Sequence, residues 1–162
     1  SGMSAAALGG AFDIHGGGVD LKFPHHENEI AQSCAATGAP FVKHWMHVAM
    51  VFMDGHKMSK SRGNLVFVDA LRKQWDPRAI RLGIIEHHYR REWEWDDTLM
   101  PRNAARLQAW VEAPRVEDGV VGEVRSALDD DLDTPAALAL IDEAVERGQG
   151  VHDAAALLGV LL

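Results

Sequence analysis

An apolar segment at residues 41–52 constrains the fold of this chain most strongly. Apolar side chains occupy both of its alternating faces, with Trp45 and His47 on one face and Met46 and Val48 on the other. A strand that is apolar on both faces is typical of a parallel sheet, which is covered on both sides. We therefore predict a single strand over residues 41–52, buried on both faces. His47 is interpreted as a core or edge histidine without a chemical role.

A second apolar strand is predicted over residues 11–15, immediately before three consecutive glycines. Gly16, Gly17 and Gly18 are expected to end this strand and to leave backbone groups open to a ligand. Glycine runs also form ordinary flexible turns, so the glycines alone do not define a site.

The segment after the glycines is predicted to be a helix with a possible metal site. Pro24 favours a helix start near His25, and Gly38 favours its end. Because His25 and Glu29 are four residues apart, they share one face of this helix. That geometry suits two ligands of a tetrahedral zinc site, and it is also found in ordinary surface pairs. The neighbouring His26 is expected to cap the helix or to face solvent.

The second half of the chain shows helical patterns only. Asp76 with Pro77, and Thr134 with Pro135, have the cap-plus-proline pattern of a helix start. A linker is predicted at residues 114–122, and the helices are predicted at residues 69–75, 77–89, 96–112, 123–128, 134–147 and 151–162. The sequence therefore predicts an α/β fold with an α/β part at residues 1–68, followed by an all-helical domain at residues 69–162.

Composition excludes several classes of protein. No apolar run of about 18 residues is present, so no membrane partner is expected. The single cysteine, Cys34, excludes an internal disulfide and favours a reducing cytoplasm. The formal net charge of −8 argues against tRNA as a major partner, because nucleic-acid-binding proteins usually carry a basic face.

A cationic loop follows a predicted turn at Asp54 and Gly55. The signature loop, Lys57-Met58-Ser59-Lys60-Ser61, places two lysines three residues apart among hydroxyl groups. Ammonium and hydroxyl groups suit a polyphosphate, which accepts hydrogen bonds and carries negative charge. On composition alone, an ordinary solvated loop is the stronger interpretation.

The residues of this loop match the signature of class I aminoacyl-tRNA synthetases letter for letter. The stretches Phe12-Asp13-Ile14-His15-Gly16-Gly17-Gly18 and Phe23-Pro24-His25-His26-Glu27-Asn28-Glu29 narrow this resemblance. They resemble the cysteinyl-tRNA synthetase family and its close relative, the ATP-dependent cysteine ligases of mycothiol biosynthesis. The resemblance implies the C-terminal part of a class I Rossmann-type catalytic domain, followed by a helical domain.

The resemblance also implies roles for individual residues. Lys60, with Lys57 in support, would stabilise the negative charge that develops on the ATP phosphates. The residues implied in binding ATP and the cysteinyl-adenylate are Ser59, Ser61, Lys60, His15, Gly16, Gly17, Gly18, Val19, Asp20 and Val51. Magnesium is expected to accompany ATP.

A zinc ion is implied as the group that binds the substrate cysteine. Its implied ligands in this sequence are His25 and Glu29, and two further cysteine ligands of the family are absent from residues 1–162. Cys34 matches neither cysteine position. A metal that coordinates sulfur would reject serine, because a hydroxyl is a far poorer ligand for zinc.

Two acceptors for the activated cysteine follow from the resemblance. A ligase would join L-cysteine to the amine of glucosaminyl-inositol, whereas a synthetase would charge tRNA. Stretches such as Trp93-Glu94-Trp95 and Asp130-Asp131-Leu132-Asp133-Thr134-Pro135, together with the acidic charge, favour the ligase. The stretch Glu27-Asn28-Glu29-Ile30-Ala31-Gln32 has the synthetase form.

A third interpretation is a non-catalytic relative, or one half of a split enzyme that acts as a binding module. The full-length protein is expected to be a monomer that requires an N-terminal half. Retention of both lysines of the signature loop, and of His25 and Glu29, argues against loss of function.

We expect residues 1–162 alone not to adenylate cysteine, because the His-x-Gly-His loop with which the family binds ATP is absent from them. Cysteine-dependent exchange of pyrophosphate into ATP, measured on the purified chain, tests this expectation. Exchange above the level seen without cysteine would contradict it.

Overall fold

The computed structural model describes residues 1–162, which divide into two compact units. The first unit comprises residues 1–50 and 90–92, and the second comprises residues 51–89 and 93–162. The predicted domain boundary at residue 68 stays a prediction, because compactness within this chain does not define the domains of a longer protein. None of the helices is long and apolar enough to cross a membrane.

The first unit is built on a pair of parallel strands. Helix α1 (Gly2–Leu8) precedes strand β1 (Phe12–Gly18), and helix α2 (Glu27–Thr37) connects β1 to strand β2 (Val42–Val48). The two strands pair in parallel along their full length, from Phe12 opposite Val42 to Gly18 opposite Val48. Parallel neighbours need a crossover connection, and α2 with its flanking turns supplies it.

The prediction of one buried strand over residues 41–52 is wrong in two respects. The segment contains two strands, because β2 ends at Val48 and strand β3 (Val51–Met53) joins a different sheet. Alternating hydrophobicity cannot reveal such a change of pairing partner. Only Phe41, just before β2, is fully buried, and the side chains of β2 are half-buried or exposed because β1 is their only strand neighbour.

Two further boundaries of the first unit differ from the prediction. The three glycines do not end β1 but continue it, and they pair with Met46, His47 and Val48. Backbone pairing needs no side chain, which is why glycine is compatible with the ladder. Helix α2 starts at Glu27, after a π-helical turn at Lys22–His26, and it ends as predicted at Gly38, whose φ of 68° is left-handed.

The second unit begins with a hairpin that carries the signature loop. Strand β3 pairs antiparallel with strand β4 (His56–Lys57), and the predicted turn at Asp54 and Gly55 joins them. Both turn residues have positive φ, 53° and 70°, which suits the Asp-Gly sequence of a two-residue hairpin. On its other side, β3 pairs in parallel with strand β5 (Trp93–Glu94).

Six helices form the remainder of the second unit. They are α3 (Val68–Leu71), α4 (Pro77–Ile85), α5 (Leu99–Glu112), α6 (Val121–Asp129), α7 (Thr134–Glu146) and α8 (His152–Leu157). Asp76 caps α4 as predicted, and its carboxylate accepts a hydrogen bond from the Arg78 N–H. The cap of α7 is Asp133, which accepts from the Ala136 N–H, and not the predicted Thr134.

The core of the second unit lies among these helices. Its largest fully buried apolar side chains come from α4, α5, α6 and α7 and from the segment 151–160. They are Leu82, Leu99, Trp110, Val124, Leu138, Ile141, Val151 and Val160. Burial of apolar side chains is the main stabilising contribution to such a unit.

A carboxylate at the C-terminal end of α4 joins α4 to α5. The Glu86 side chain is 11% exposed and accepts hydrogen bonds from Arg102, Asn103 and Arg106, at 2.9 Å from Asn103 and 3.0 Å from Arg106. Burial alone would raise the pKa of Glu86, but these three donors outweigh it and hold the pKa below its usual value. Arg106 also donates to Asp142 on α7, so three helices share one ionic network.

We expect Glu86→Gln to lower the free energy of unfolding by about 2 kcal/mol at pH 7, because it weakens hydrogen bonds between charged groups. The pKa of Glu86 is lowered in the folded state. The contribution of ionised Glu86 to the free energy of unfolding is therefore present at neutral pH, and it is lost as the pH falls through that folded-state pKa. The difference between variant and wild type should therefore shrink on acidification. Urea unfolding at several pH values measures it, with the exposed Glu117→Gln as control. An undiminished difference at low pH would contradict the prediction.

Candidate active site

The signature loop is shaped by its own hydrogen bonds. Asn64 closes it, since its side-chain oxygen accepts from the Ser59 N–H at 3.0 Å. The side-chain nitrogen of Asn64 lies 3.4 Å from the carbonyl oxygens of both His56 and Lys57. One asparagine thus connects β4 to the segment that follows the loop. No role for Asn64 is predicted from the sequence, although its position directly after Gly63 could have indicated one.

The cationic and hydroxyl groups of the loop lie together at the surface. Lys57 ends β4, and Lys60 opens a short 3-10 turn, Lys60–Arg62. The hydroxyl oxygens of Ser59 and Ser61 are 3.3 Å apart, and Gly63 closes the turn with a φ of 71°. Exposed ammonium groups beside paired hydroxyls are suited to an anionic ligand.

A cluster of possible metal ligands lies in the first unit. His15 on β1, His26 before α2 and Glu29 in the first turn of α2 place ligand atoms within 4.8 Å of one another. The Glu29 Oε2 atom is 2.9 Å from His15 Nε2, but it is buried without a partner in hydrogen-bonding geometry. A buried carboxylate oxygen with a free lone pair is suited to a cation.

The charge states of this cluster also suit a cation. Burial alone would raise the pKa of Glu29, and the positive charge of the nearby His15 opposes that shift. Burial lowers the pKa of His26, with smaller contributions from His15 and His47. His26 is therefore neutral at pH 7, which is the protonation state of a metal ligand.

The cluster of possible metal ligands contains His26, whereas the sequence pattern indicated the adjacent His25. His25 is 60% exposed, and its Nε2 atom lies 3.7 Å from Glu29 Oε2. The expectation that the His26 side chain caps the helix or faces solvent is wrong. His26 is the N-cap residue of α2, but its side chain makes no capping hydrogen bond and the residue is only 3% exposed. Adjacent residues of a helical turn point about 100° apart, and sequence spacing cannot reveal which of the two faces inward.

His47 contacts this cluster although sequence reasoning gave it no chemical role. Its Nε2 atom lies 2.8 Å from His26 Nδ1, so the two rings share a hydrogen bond. Burial, followed by the charges of Lys22 and His15, lowers the pKa of His47. The rings of His26 and Trp45 lie 5.0 Å apart. A cavity of about 210 Å³ beside these rings is lined by Lys22, His26, Glu27, Ile30, Trp45 and His47.

Gly17 is required by packing against His26. A Cβ atom at Gly17 would lie 2.9 Å from the Cε1 atom of His26, which is closer than real Cβ contacts. The glycine therefore lets the imidazole lie directly against β1. Val19 and Asp20 follow in a 3-10 turn, Val19–Leu21, at the carboxyl end of the strand, which is the edge where open α/β sheets bind ligands.

The residues expected to bind ATP and the adenylate are divided between the two units. Those in the first unit are His15, Gly16, Gly17, Gly18, Val19 and Asp20, and those in the second are Val51, Lys57, Ser59, Lys60 and Ser61.

The fold and the signature loop indicate a class of protein, and comparison with known proteins identifies the same class. Residues 1–105 match the family described as tRNA synthetases class I (C) catalytic domain. The chain belongs to this family. An Agrobacterium radiobacter K84 agnB2 LeuRS, crystallised in a ternary complex with tRNA and LeuAMS, has a similar fold. Its TM-score is 0.62 at 15% identity, over 84% of this chain and 23% of the LeuRS chain.

The similar curated proteins carry a more particular name. The relatives from Thermobifida fusca and Streptomyces griseus are named L-cysteine:1D-myo-inositol 2-amino-2-deoxy-alpha-D-glucopyranoside ligase, and are 53% and 50% identical over 150 and 155 residues. The relative from Thermomonospora curvata has the same name and is 47% identical over 166 residues. These matches cover 88%, 90% and 96% of this chain but only 36%, 38% and 40% of the relatives. The chain therefore spans less than half the length of these relatives.

Proposed function

We propose that this chain is part of an ATP-dependent ligase that activates L-cysteine as cysteinyl-adenylate. The amine of glucosaminyl-inositol then attacks the adenylate to form an amide and release AMP. The similarity to ligases of that name over about nine-tenths of the chain carries this proposal. We infer a cytoplasmic monomer, for which the single cysteine and the expected small-molecule acceptor are the support.

The signature loop is the proposed phosphate-binding element. Lys60, supported by Lys57, stabilises the charge that builds on the phosphates as pyrophosphate leaves. The hydroxyls of Ser59 and Ser61 add hydrogen-bond donors, and magnesium accompanies the nucleotide. Positioned charges of this kind act most strongly on the transition state, where the negative charge is greatest.

Glu29 is the proposed centre of a zinc site. The histidines that could accompany it are His15 and His26, which lie within ligand distance, and His25, which the resemblance assigns. Nitrogen and carboxylate donors suit zinc, and three protein ligands would leave a fourth position for substrate. The bound metal would lower the pKa of the substrate thiol and select sulfur over oxygen. Burial keeps His26 neutral, which is the protonation state of a metal ligand.

The glycine strand is the proposed wall of the adenylate site. Gly16, Gly17 and Gly18 are proposed to contact the ligand through backbone groups at the carboxyl end of β1. The space that a side chain at Gly17 would fill is taken by the His26 ring. Val19, Asp20 and His15 are proposed to line the cysteinyl-adenylate, and Val51 the adenine side. These assignments rest on the resemblance.

A cysteinyl-tRNA synthetase is the second candidate function. The stretch Glu27-Asn28-Glu29-Ile30-Ala31-Gln32, which has the synthetase form, favours it. The two candidates share the adenylation step and differ only in the acceptor.

We expect Lys60→Ala to slow cysteine-dependent ATP–pyrophosphate exchange by about 10²- to 10³-fold, because it removes a charge that stabilises the transition state. The assay uses a hybrid enzyme in which this chain replaces the matching segment of the Thermobifida fusca ligase. The matched control is Lys73→Ala, an exposed lysine paired with Asp69. An equal effect of both variants would contradict the role of Lys60.

The same hybrid enzyme identifies the acceptor. Glucosaminyl-inositol should discharge preformed cysteinyl-adenylate and yield a cysteinyl amide, which mass spectrometry detects. Transfer of cysteine to tRNA with no amide formed would favour the synthetase instead.

We expect Glu29→Gln to weaken Co²⁺ binding by the chain at least about tenfold, because an amide oxygen is a much poorer ligand than a carboxylate. The visible absorption of Co²⁺, used as a probe for zinc, reports binding without any need for catalysis. Parallel His15→Ala, His25→Ala and His26→Ala variants identify the histidines that accompany Glu29. Unchanged binding in Glu29→Gln would contradict the proposed site, and circular dichroism checks that each variant is folded.

A further inference from the structure

The hairpin that carries the signature loop is anchored by a third strand from the helical segment. Val51 and Phe52 of β3 lie opposite Trp93 and Glu94 of β5, and the Trp95 N–H donates to the Phe52 carbonyl at 2.8 Å. An isolated two-stranded hairpin is only marginally stable in water. The added strand therefore gives the hairpin a defined orientation within the second unit.

A single carboxylate fixes the tip of the hairpin. The Oε1 atom of Glu94 accepts a hydrogen bond from the Gly55 N–H at 2.6 Å. Gly55 is the second residue of the two-residue turn, two positions before Lys57. Glu94 and Lys57 also lie opposite the same residue, Phe52, on the two sides of β3.

Strand β5 is itself held against α4. The indole ring of Trp93 stacks on the imidazole ring of His87, with centroids 4.0 Å apart and planes inclined by 6°. The Nδ1 atom of His87 lies 3.2 Å from the carbonyl oxygen of Gly83, inside α4. A chain of contacts therefore runs from the helical core through His87 and Trp93 to the hairpin.

We propose that Glu94 is a positioning residue for the signature loop. Its carboxylate holds the turn at Gly55 against β5, and so sets the direction in which β4 presents Lys57 and Lys60 to a polyphosphate. The consequence for ATP binding rests on the proposed function, whereas the bond to Gly55 is a property of the fold. Glu94 does not touch the nucleotide and acts through the hairpin.

Amide hydrogen exchange of the purified chain, followed by two-dimensional ¹H–¹⁵N NMR, tests the positioning role. Glu94→Ala should speed exchange at Gly55 about fivefold, as expected for the loss of one hydrogen bond worth about 1 kcal/mol. Glu94→Gln keeps an acceptor oxygen at the same reach and should stay within about twofold of wild type. Glu94→Asp keeps the charge but is one methylene shorter, so it should resemble Glu94→Ala.

The matched control is Glu92→Ala, which removes an exposed carboxylate two residues away. It should leave exchange at Gly55 unchanged. Wild-type exchange at Gly55 in Glu94→Ala, or equal loss of protection in Glu94→Gln and Glu94→Asp, would overturn the proposal. If Glu94→Ala does not fold, the comparison of Glu94→Gln with Glu94→Asp decides the question alone.

Titration with MgATP separates this proposal from the proposed function. In the hybrid enzyme, the amide signals of Lys57 to Gly63 should shift on addition of MgATP to the form without further substitution, taken as wild type, and the midpoint should rise about threefold in Glu94→Asp but not in Glu94→Gln. Absence of any shift in the wild type would count against the loop as a phosphate site, while the exchange experiment would still decide whether Glu94 holds the hairpin. An unchanged midpoint in Glu94→Asp, with a normal shift in the wild type, would overturn the positioning role.

Discussion

The arrangement of the signature loop depends on backbone pairing to a strand of only three residues. Strand β3 pairs with β4 on one side and with β5 on the other, so the backbone pairing that orients the loop passes through Val51, Phe52 and Met53. A strand of three residues forms few backbone hydrogen bonds. Strand β3 therefore depends for its stability on the contacts that β4 and β5 make elsewhere in the second unit. The helical core holds β5 through the His87–Trp93 stack, and the loop is closed from inside by Asn64.

In the first unit, charged and polar side chains lie partly or fully buried beside a small sheet. The Glu29 side chain is 12% exposed, and its Oε2 atom lies 2.9 Å from the Nε2 atom of His15. His26 is buried and neutral, with His47 as its hydrogen-bond partner. The polar groups of this unit are therefore accommodated mainly by contacts with one another.

Local chemistry made much of this fold predictable. The Asp54-Gly55 turn, the end of α2 at Gly38 and the start of α4 at Asp76 all depend on one or two residues with strong conformational preferences. The signature loop was also visible, because its residues are contiguous and chemically unusual together. By contrast, the split of residues 41–52 into two strands depends on pairing partners distant in sequence, which periodicity does not encode.

The sequence by itself determined the family of the chain and the position of the cationic loop, because contiguous residues carry each of these features. Only the tertiary structure decided which histidine turns inward. His25 and His26 are adjacent and chemically identical, but in the folded chain His26 packs against Gly17 whereas the His25 side chain is 60% exposed. The tertiary structure also determines the hydrogen bond between Glu94 and Gly55. These residues are 39 positions apart in the sequence and come together only when β5 pairs with β3.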